Sequence, residues 1–187
     1  MSQIEIPSYK VIQSKKSIEL REYAPAIQAE VTVSGIREKA INAGFRLLAD
    51  YIFGNNVSKS AIAMTAPVNQ QRSEKIAMTA PVTQAKEGDV WKVQFTMPAS
   101  YTLETLPRPN NPQVKIISRP ACRAVSIKFS GFWSSRSLRK HLAELESYIQ
   151  ANQLKTVGEP TYAFYDPPWT LPFLRRNEII YNIESDR

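Results

Sequence analysis

The ten residues Ala26-Ile-Gln-Ala-Glu-Val-Thr-Val-Ser-Gly35 and the ten residues Cys122-Arg-Ala-Val-Ser-Ile-Lys-Phe-Ser-Gly131 align without a gap. In each, Val31/Val33 or Ile127/Phe129 alternate with polar Thr32 or Lys128. That is the period-two pattern of a strand with one buried face, and both strands end on Ser-Gly. Beyond Ser-Gly the apolar period changes. Ile41, Phe45, Leu48 and Ile52 follow the first copy, and Leu138, Leu142, Leu145 and Ile149 the second. Steps of four, three and four residues put each set on one helix face. The helices are expected to stop near Gly54-Asn55-Asn56 and near Asn152, residues that suit helix C-termini. A strand-helix-strand unit is therefore expected twice, and two helices with one apolar stripe each need a shared sheet to cover.

Further strands read at residues 18–23, 75–82, 90–97, 114–118, 162–165 and 178–184, separated by turns rich in proline or containing glycine. The stretch Pro107 to Pro112 joins the halves and is too short for a linker between independent units, each of which would have a marginal core. The expectation is one α+β domain over residues 1–187, with an internal repeat of about 18–106 and 113–184. The strands form a strongly curved sheet or open barrel, with pseudo-twofold symmetry and two flanking helices.

Composition narrows the function classes. With 187 residues, 43% of them apolar, the chain can bury one core of ordinary size. No stretch approaches the roughly 18 consecutive apolar residues of a membrane span, and residues 1–16 are polar and charged, unlike a signal peptide, so a soluble cytoplasmic protein is expected. The single cysteine, Cys122, excludes an internal disulfide and a CxxC metal knuckle. A net charge of +7 favours weak association with anionic surfaces or anionic small molecules. The charges are scattered, however, with local clusters only at Arg136/Arg139/Lys140 and Arg175/Arg176. Neither carries the aromatic interleaving of an RNA-binding sheet, so no specific nucleic-acid partner is expected.

Catalytic patterns are few. There is no nucleophile elbow, no phosphate-cradling glycine loop and no His/Cys ligand set, and the reading leans away from an enzyme. His141 is the only histidine, hence the only imidazole available as an axial ligand or neutral-pH base. It lies about 70° off the centre of the second helix's apolar stripe, where pairing with Glu144 or Glu146, or facing solvent, is the ordinary role. A second, local repetition places Ala61-Ile-Ala-Met-Thr-Ala-Pro-Val68 before Lys75-Ile-Ala-Met-Thr-Ala-Pro-Val82. Either one copy is an extra strand or loop, or Met64 and Met78 line a pocket with soft side chains. The turn Tyr165-Asp-Pro-Pro-Trp169 reads as a rigid corner, closed by Asp166 through its own backbone, that orders Trp169 and Phe173 over the core. The alternatives are a lid with Arg175 and Arg176 as rim charges, and a salt bridge from Glu178 into the barrel.

Several segments together resemble the SOUL haem-binding protein family. They are Ile18-Glu-Leu-Arg-Glu-Tyr23, Tyr51-Ile-Phe-Gly-Asn55, Lys75-Ile-Ala-Met-Thr-Ala-Pro-Val82, Phe95-Thr-Met-Pro98, and Tyr165-Asp-Pro-Pro-Trp169 running into Arg175-Arg-Asn-Glu178. The resemblance implies a distorted eight-stranded barrel with two helices. It also implies non-catalytic binding or carriage of haem or a related tetrapyrrole in an apolar cleft beside the first helix. A porphyrin is an apolar plate with two carboxylates, so such a site needs apolar area and one or two cations at its rim. Carried onto this chain, the contacts are Phe45, Leu48 and Ala49, with Arg46 or Lys39 at the rim and Met64, Met78, Trp169 and Arg175 around the ligand. Asn42 and Asp50 stand where animal relatives place basic residues. The duplicated unit is also similar to GyrI-like small-molecule-binding domains, some of which sense cations and some of which hydrolyse small ligands. A buried, unpaired carboxylate between the halves would mark that alternative. The remaining reading is a protein-interaction domain with no small ligand.

Overall fold

A computed structural model describes residues 4–59, 73–167 and 169–184. In chain order the elements are β1 (Tyr9–Lys15), β2 (Ile18–Tyr23), β3 (Ala26–Ser34), α1 (Arg37–Ile52), β4 (Asn56–Val57), β5 (Val82–Glu87), β6 (Val90–Thr96), β7 (Arg108–Pro109), β8 (Lys115–Arg119), β9 (Cys122–Phe129), α2 (Ser135–Ala151), β10 (Thr156–Phe164) and β11 (Asn177–Ile183). Nine strands form one antiparallel sheet in the order β1-β2-β9-β11-β10-β5-β6-β3-β8, and β4 and β7 pair apart from it. The sheet curls into a half-barrel, with α1 over β3 and β6 and α2 over β9 and β11. No helix among the described residues is long and apolar enough to cross a membrane.

The order has an exchange built into it. β2 leads into β3 but pairs with β9, while β8 leads into β9 but pairs with β3. Each half of the chain therefore supplies the outer neighbour of the strand that leads into the other half's helix. The halves also meet at the centre, where β10 pairs with β5 from Thr161↔Ala85 to Phe164↔Val82. Both helices follow the Ser-Gly corner, with Gly35 at φ 111° and Gly131 at φ 103°, values that a side chain would strain.

Directly paired residues share a sheet face, so the ladder fixes what lies under the helices. Val31, Val93 and Phe95 meet Leu48, Tyr51 and Ile52 of α1 in one core cluster; Val125, Ile127 and Ile179 meet Leu138 and Leu145 of α2 in a second. At Gly44 the helix approaches so closely that an added Cβ would stand 2.7 Å from a methyl of Val93.

Two expectations need correction. The sheet has nine strands, not eight, because β1 adds to β2 along an edge. Its residues are nearly all exposed, so it carries no alternation for the sequence to display. The strand expected over 75–82 begins only at Val82: Pro81 has no N–H to give a ladder, and the preceding backbone bonds elsewhere, Ile76 N–H to Ile52 O and Ala80 N–H to Glu5 O. The other Met-Thr-Ala-Pro-Val copy, with Met64, lies outside the described residues.

Candidate functional site

Arg37, Ile41 and Phe45 succeed one another at four-residue steps along one flank of α1, about 12 Å from end to end at 1.5 Å per residue. Trp91, Val93 and Phe95 of β6 alternate onto the face beneath. The Arg37 guanidinium lies 5.5 Å from the ring centre of Tyr162 and 5.9 Å from those of Trp91 and Phe164. At the far end the Phe45 ring meets Phe95 edge-on at 5.5 Å and remains 38% exposed.

Arg37 is held by these rings and, among the described residues, by no carboxylate. Its Nε is buried without a hydrogen-bond partner, and burial lowers its pKa. Gln84 of β5 stands opposite Tyr162 in the ladder, on the same sheet face, and its buried Oε1 also has no hydrogen-bond partner. A buried donor and a buried acceptor left without partners under the same helix are each costly. Arg37 and Gln84 were not singled out from sequence: an arginine opening a helix reads as a solvated charge, and only the sheet register reveals the rings around it.

The residues anticipated from sequence are distributed unevenly. Phe45 and Arg46 are exposed on α1 and Ala49 is half-buried, whereas Leu48 is wholly inside the core against the sheet. Met78 is partly exposed before β5. Arg175 is buried rather than at a rim; its Nε donates to the Thr170 carbonyl (2.7 Å), and its guanidinium lies 5.2 Å from the Trp133 ring centre. Trp133 in turn meets Phe164 at 4.8 Å, so Arg37 and Arg175 flank one aromatic pair. His141 stands apart on α2, stacked on Phe129 at 4.1 Å, its Nδ1 donating to the Ser137 carbonyl (2.8 Å).

The corner after Tyr165 also differs from expectation. Asp166 closes it by accepting from the Arg176 backbone N–H (2.6 Å), not from its own turn. Trp169 and Phe173 do not cover the core: they are 84% and 69% exposed.

On the face away from the helices, Glu178 is fully buried. Arg21 Nη1 and Nη2 donate to its two oxygens at 2.6 and 3.0 Å, Arg176 Nε donates at 2.9 Å and the Tyr165 hydroxyl at 3.0 Å. Burial alone would raise its pKa, but the two guanidinium groups hold it below the usual carboxylate range. Burial pushes the Tyr23 phenol beside Arg21 up to about 12. Glu178 is the one acid in the buried class among the described residues, and it is spoken for on every side. The expected salt bridge is present, and the unpaired carboxylate that would mark a cation site is not found there.

The model of the family described as SOUL heme-binding protein matches residues 4–73 and 68–182. The chain belongs to the SOUL family. Heme-binding protein 2 of Homo sapiens is 27% identical over 190 residues, covering 98% of this SOUL chain and 87% of the relative. The two family matches overlap over residues 68–73, between the end of one Met-Thr-Ala-Pro-Val copy and the start of the other. In fold the SOUL chain is similar to the EcmrR C-terminal domain, with a TM-score of 0.62 at 15% identity, covering 95% of this chain and 99% of that one. It is also similar to a hydrolase from Listeria innocua, with a TM-score of 0.56 at 14% identity and 92% and 94% coverage.

Proposed function

We propose that the protein binds or carries haem or a related tetrapyrrole, without catalysis, along the exposed flank of α1. The apolar plate lies against Phe45, Ile41 and Ala49, and a carboxylate pairs with Arg37, leaving Arg46 or Lys39 for the second. The observation that carries this reading is the Arg37 guanidinium, paired with no carboxylate among the described residues, at one end of a helix flank whose other end is the exposed Phe45 ring: an acid suits the first and an apolar plate the second. Membership of the SOUL family supports the ligand class. His141 serves the second core and is not part of this site, so the group is held by contact and ion pairing rather than by an iron–imidazole bond. Residues 1–187 act as one unit descended from a duplicated strand-helix-strand ancestor, a reading supported by the paired Ser-Gly corners and the matching strand orders β5-β6-β3 and β10-β11-β9.

Haemin titration followed at the Soret band tests the reading. A saturable shift at micromolar protein, weakened about tenfold by Phe45→Glu or Arg37→Gln, is the expected result, since one lost ion pair or buried contact is worth about 1.4 kcal/mol. The absence of a saturable shift, or full affinity in both variants, overturns it.

A further inference from the structure

Five large apolar side chains stand in solvent at the end of the molecule where α2 begins. Trp169 is 84% and Phe173 69% exposed, and Phe132, Leu171 and Leu174 are each more than half exposed. They come from two loops tied together: the Gly131 N–H donates to the Pro172 carbonyl (2.8 Å), Asn177 Nδ2 donates to the Gly131 carbonyl (3.1 Å), and the Arg175 guanidinium sits over the rings of Phe132 and Trp133. Turn hydrogen bonds from Thr170 to Pro167 and from Leu174 to Leu171 fix the backbone that carries the side chains. Ordered backbone with unburied aromatic and leucine side chains is a surface held ready for something else to cover.

The charges beside it indicate the cover. Arg136, Arg139 and Lys140 are exposed on the first turns of α2, spaced to share one helix face. No aspartate or glutamate occurs between Phe129 and Ala143 or between Trp169 and Asn177, and the whole chain carries +7. We propose that this end docks on an anionic lipid surface, with Trp169, Phe173, Phe132, Leu171 and Leu174 entering the interface and the basic face of α2 meeting the headgroups. Tryptophan, phenylalanine and leucine above a cationic face are the composition of an interfacial anchor. A lipid surface also suits the shape: side chains this exposed are knobs without groove walls, and a protein partner would need a separate pocket for each, whereas a bilayer takes all of them at once. The proposal does not depend on where a tetrapyrrole binds.

Co-sedimentation with vesicles of phosphatidylcholine mixed with phosphatidylserine, against vesicles of phosphatidylcholine alone, tests it. The full chain is expected to bind the anionic vesicles at least about tenfold more tightly, because the basic side chains near the surface are attracted to anionic headgroups. The double variant Trp169→Ser, Phe173→Ser and the double variant Arg139→Glu, Lys140→Glu should each lose about tenfold or more. Both change exposed residues, and unchanged circular dichroism and thermal unfolding confirm that the fold stands. No binding to anionic vesicles, or binding that the Trp169/Phe173 variant leaves intact, overturns the proposal. So does a chain that dimerises in solution through this patch, becomes monomeric in that variant and ignores vesicles, because the cover is then a second copy.

Discussion

Arg21 and Glu178 are 157 positions apart in the chain, and their charged atoms are 2.6 Å apart with almost no exposure of either side chain. The pair joins β2 to β11 across β9 on the face away from the helices, with Arg176, Tyr165 and Tyr23 closing around it. Neither ion can return to water without opening the sheet.

Arg21→Leu should therefore destabilise the fold by about 3–5 kcal/mol, because it strands a buried carboxylate on which Arg176 alone cannot make both fork contacts. Urea unfolding of Arg21→Leu, Glu178→Leu and the double variant measures the coupling. The double variant should be less damaged than the sum of the singles, since it removes both charges together.

The same pair predicts an acid limb of stability. Glu178 titrates below its ordinary range in the folded chain, so its contribution is fully present above the unfolded carboxylate value, about 4.3 for glutamate, and is lost as pH falls through the lower folded value. Unfolding midpoints measured from neutral pH downward should fall in that window. Glu178→Gln, less stable at neutral pH, should show a shallower fall.

Arg37 predicts a separation of stability from binding. Arg37→Met keeps the stem against Trp91, Tyr162 and Phe164 and removes the orphaned Nε, so thermal stability should stay within about 1 kcal/mol of the parent or rise. Haemin affinity should fall about tenfold by loss of one carboxylate partner. A large loss of stability with unchanged haemin binding would make Arg37 a structural cation.

Gly44 tests how α1 is seated. Alanine is the better helix former by about 1 kcal/mol, yet Gly44→Ala places a methyl 2.7 Å from Val93 and has to lift the helix. A net destabilisation of about 1–2 kcal/mol in thermal unfolding is expected, together with weaker haemin binding, because Phe45 and Arg37 ride on the same helix.

What could be read in the sequence had a buried face to announce it. The two helices and strands β3 and β9 carry apolar periodicity, and the SOUL motifs lie in order along the chain. β1 has no buried face and left no signature. The Lys75–Val82 motif has the alternation of a strand, but its backbone bonds are taken by Ile52 and Glu5, partners remote in sequence. Leu48 and Phe45 look alike as stripe positions, and only the approach at Gly44 decides that one is core and the other surface. Trp169 and Phe173, apolar and aromatic, read as core; their exposure follows from the tie between Pro172 and Gly131, which no local pattern encodes.

The exchange of β2 and β8 between the halves sets a timetable for a chain emerging from the ribosome. Ile18 has to wait for Ile127, and the pairing of Val11 with Arg21 can give only an isolated hairpin until then. Residues 9–23 are thus made before the strand that seats them, and reach it only after a long loop closure. Vectorial synthesis cannot finish the half that carries α1 on its own, and the nascent chain holds an unpaired strand edge until β9 is made, the stage at which a chaperone has something to cover.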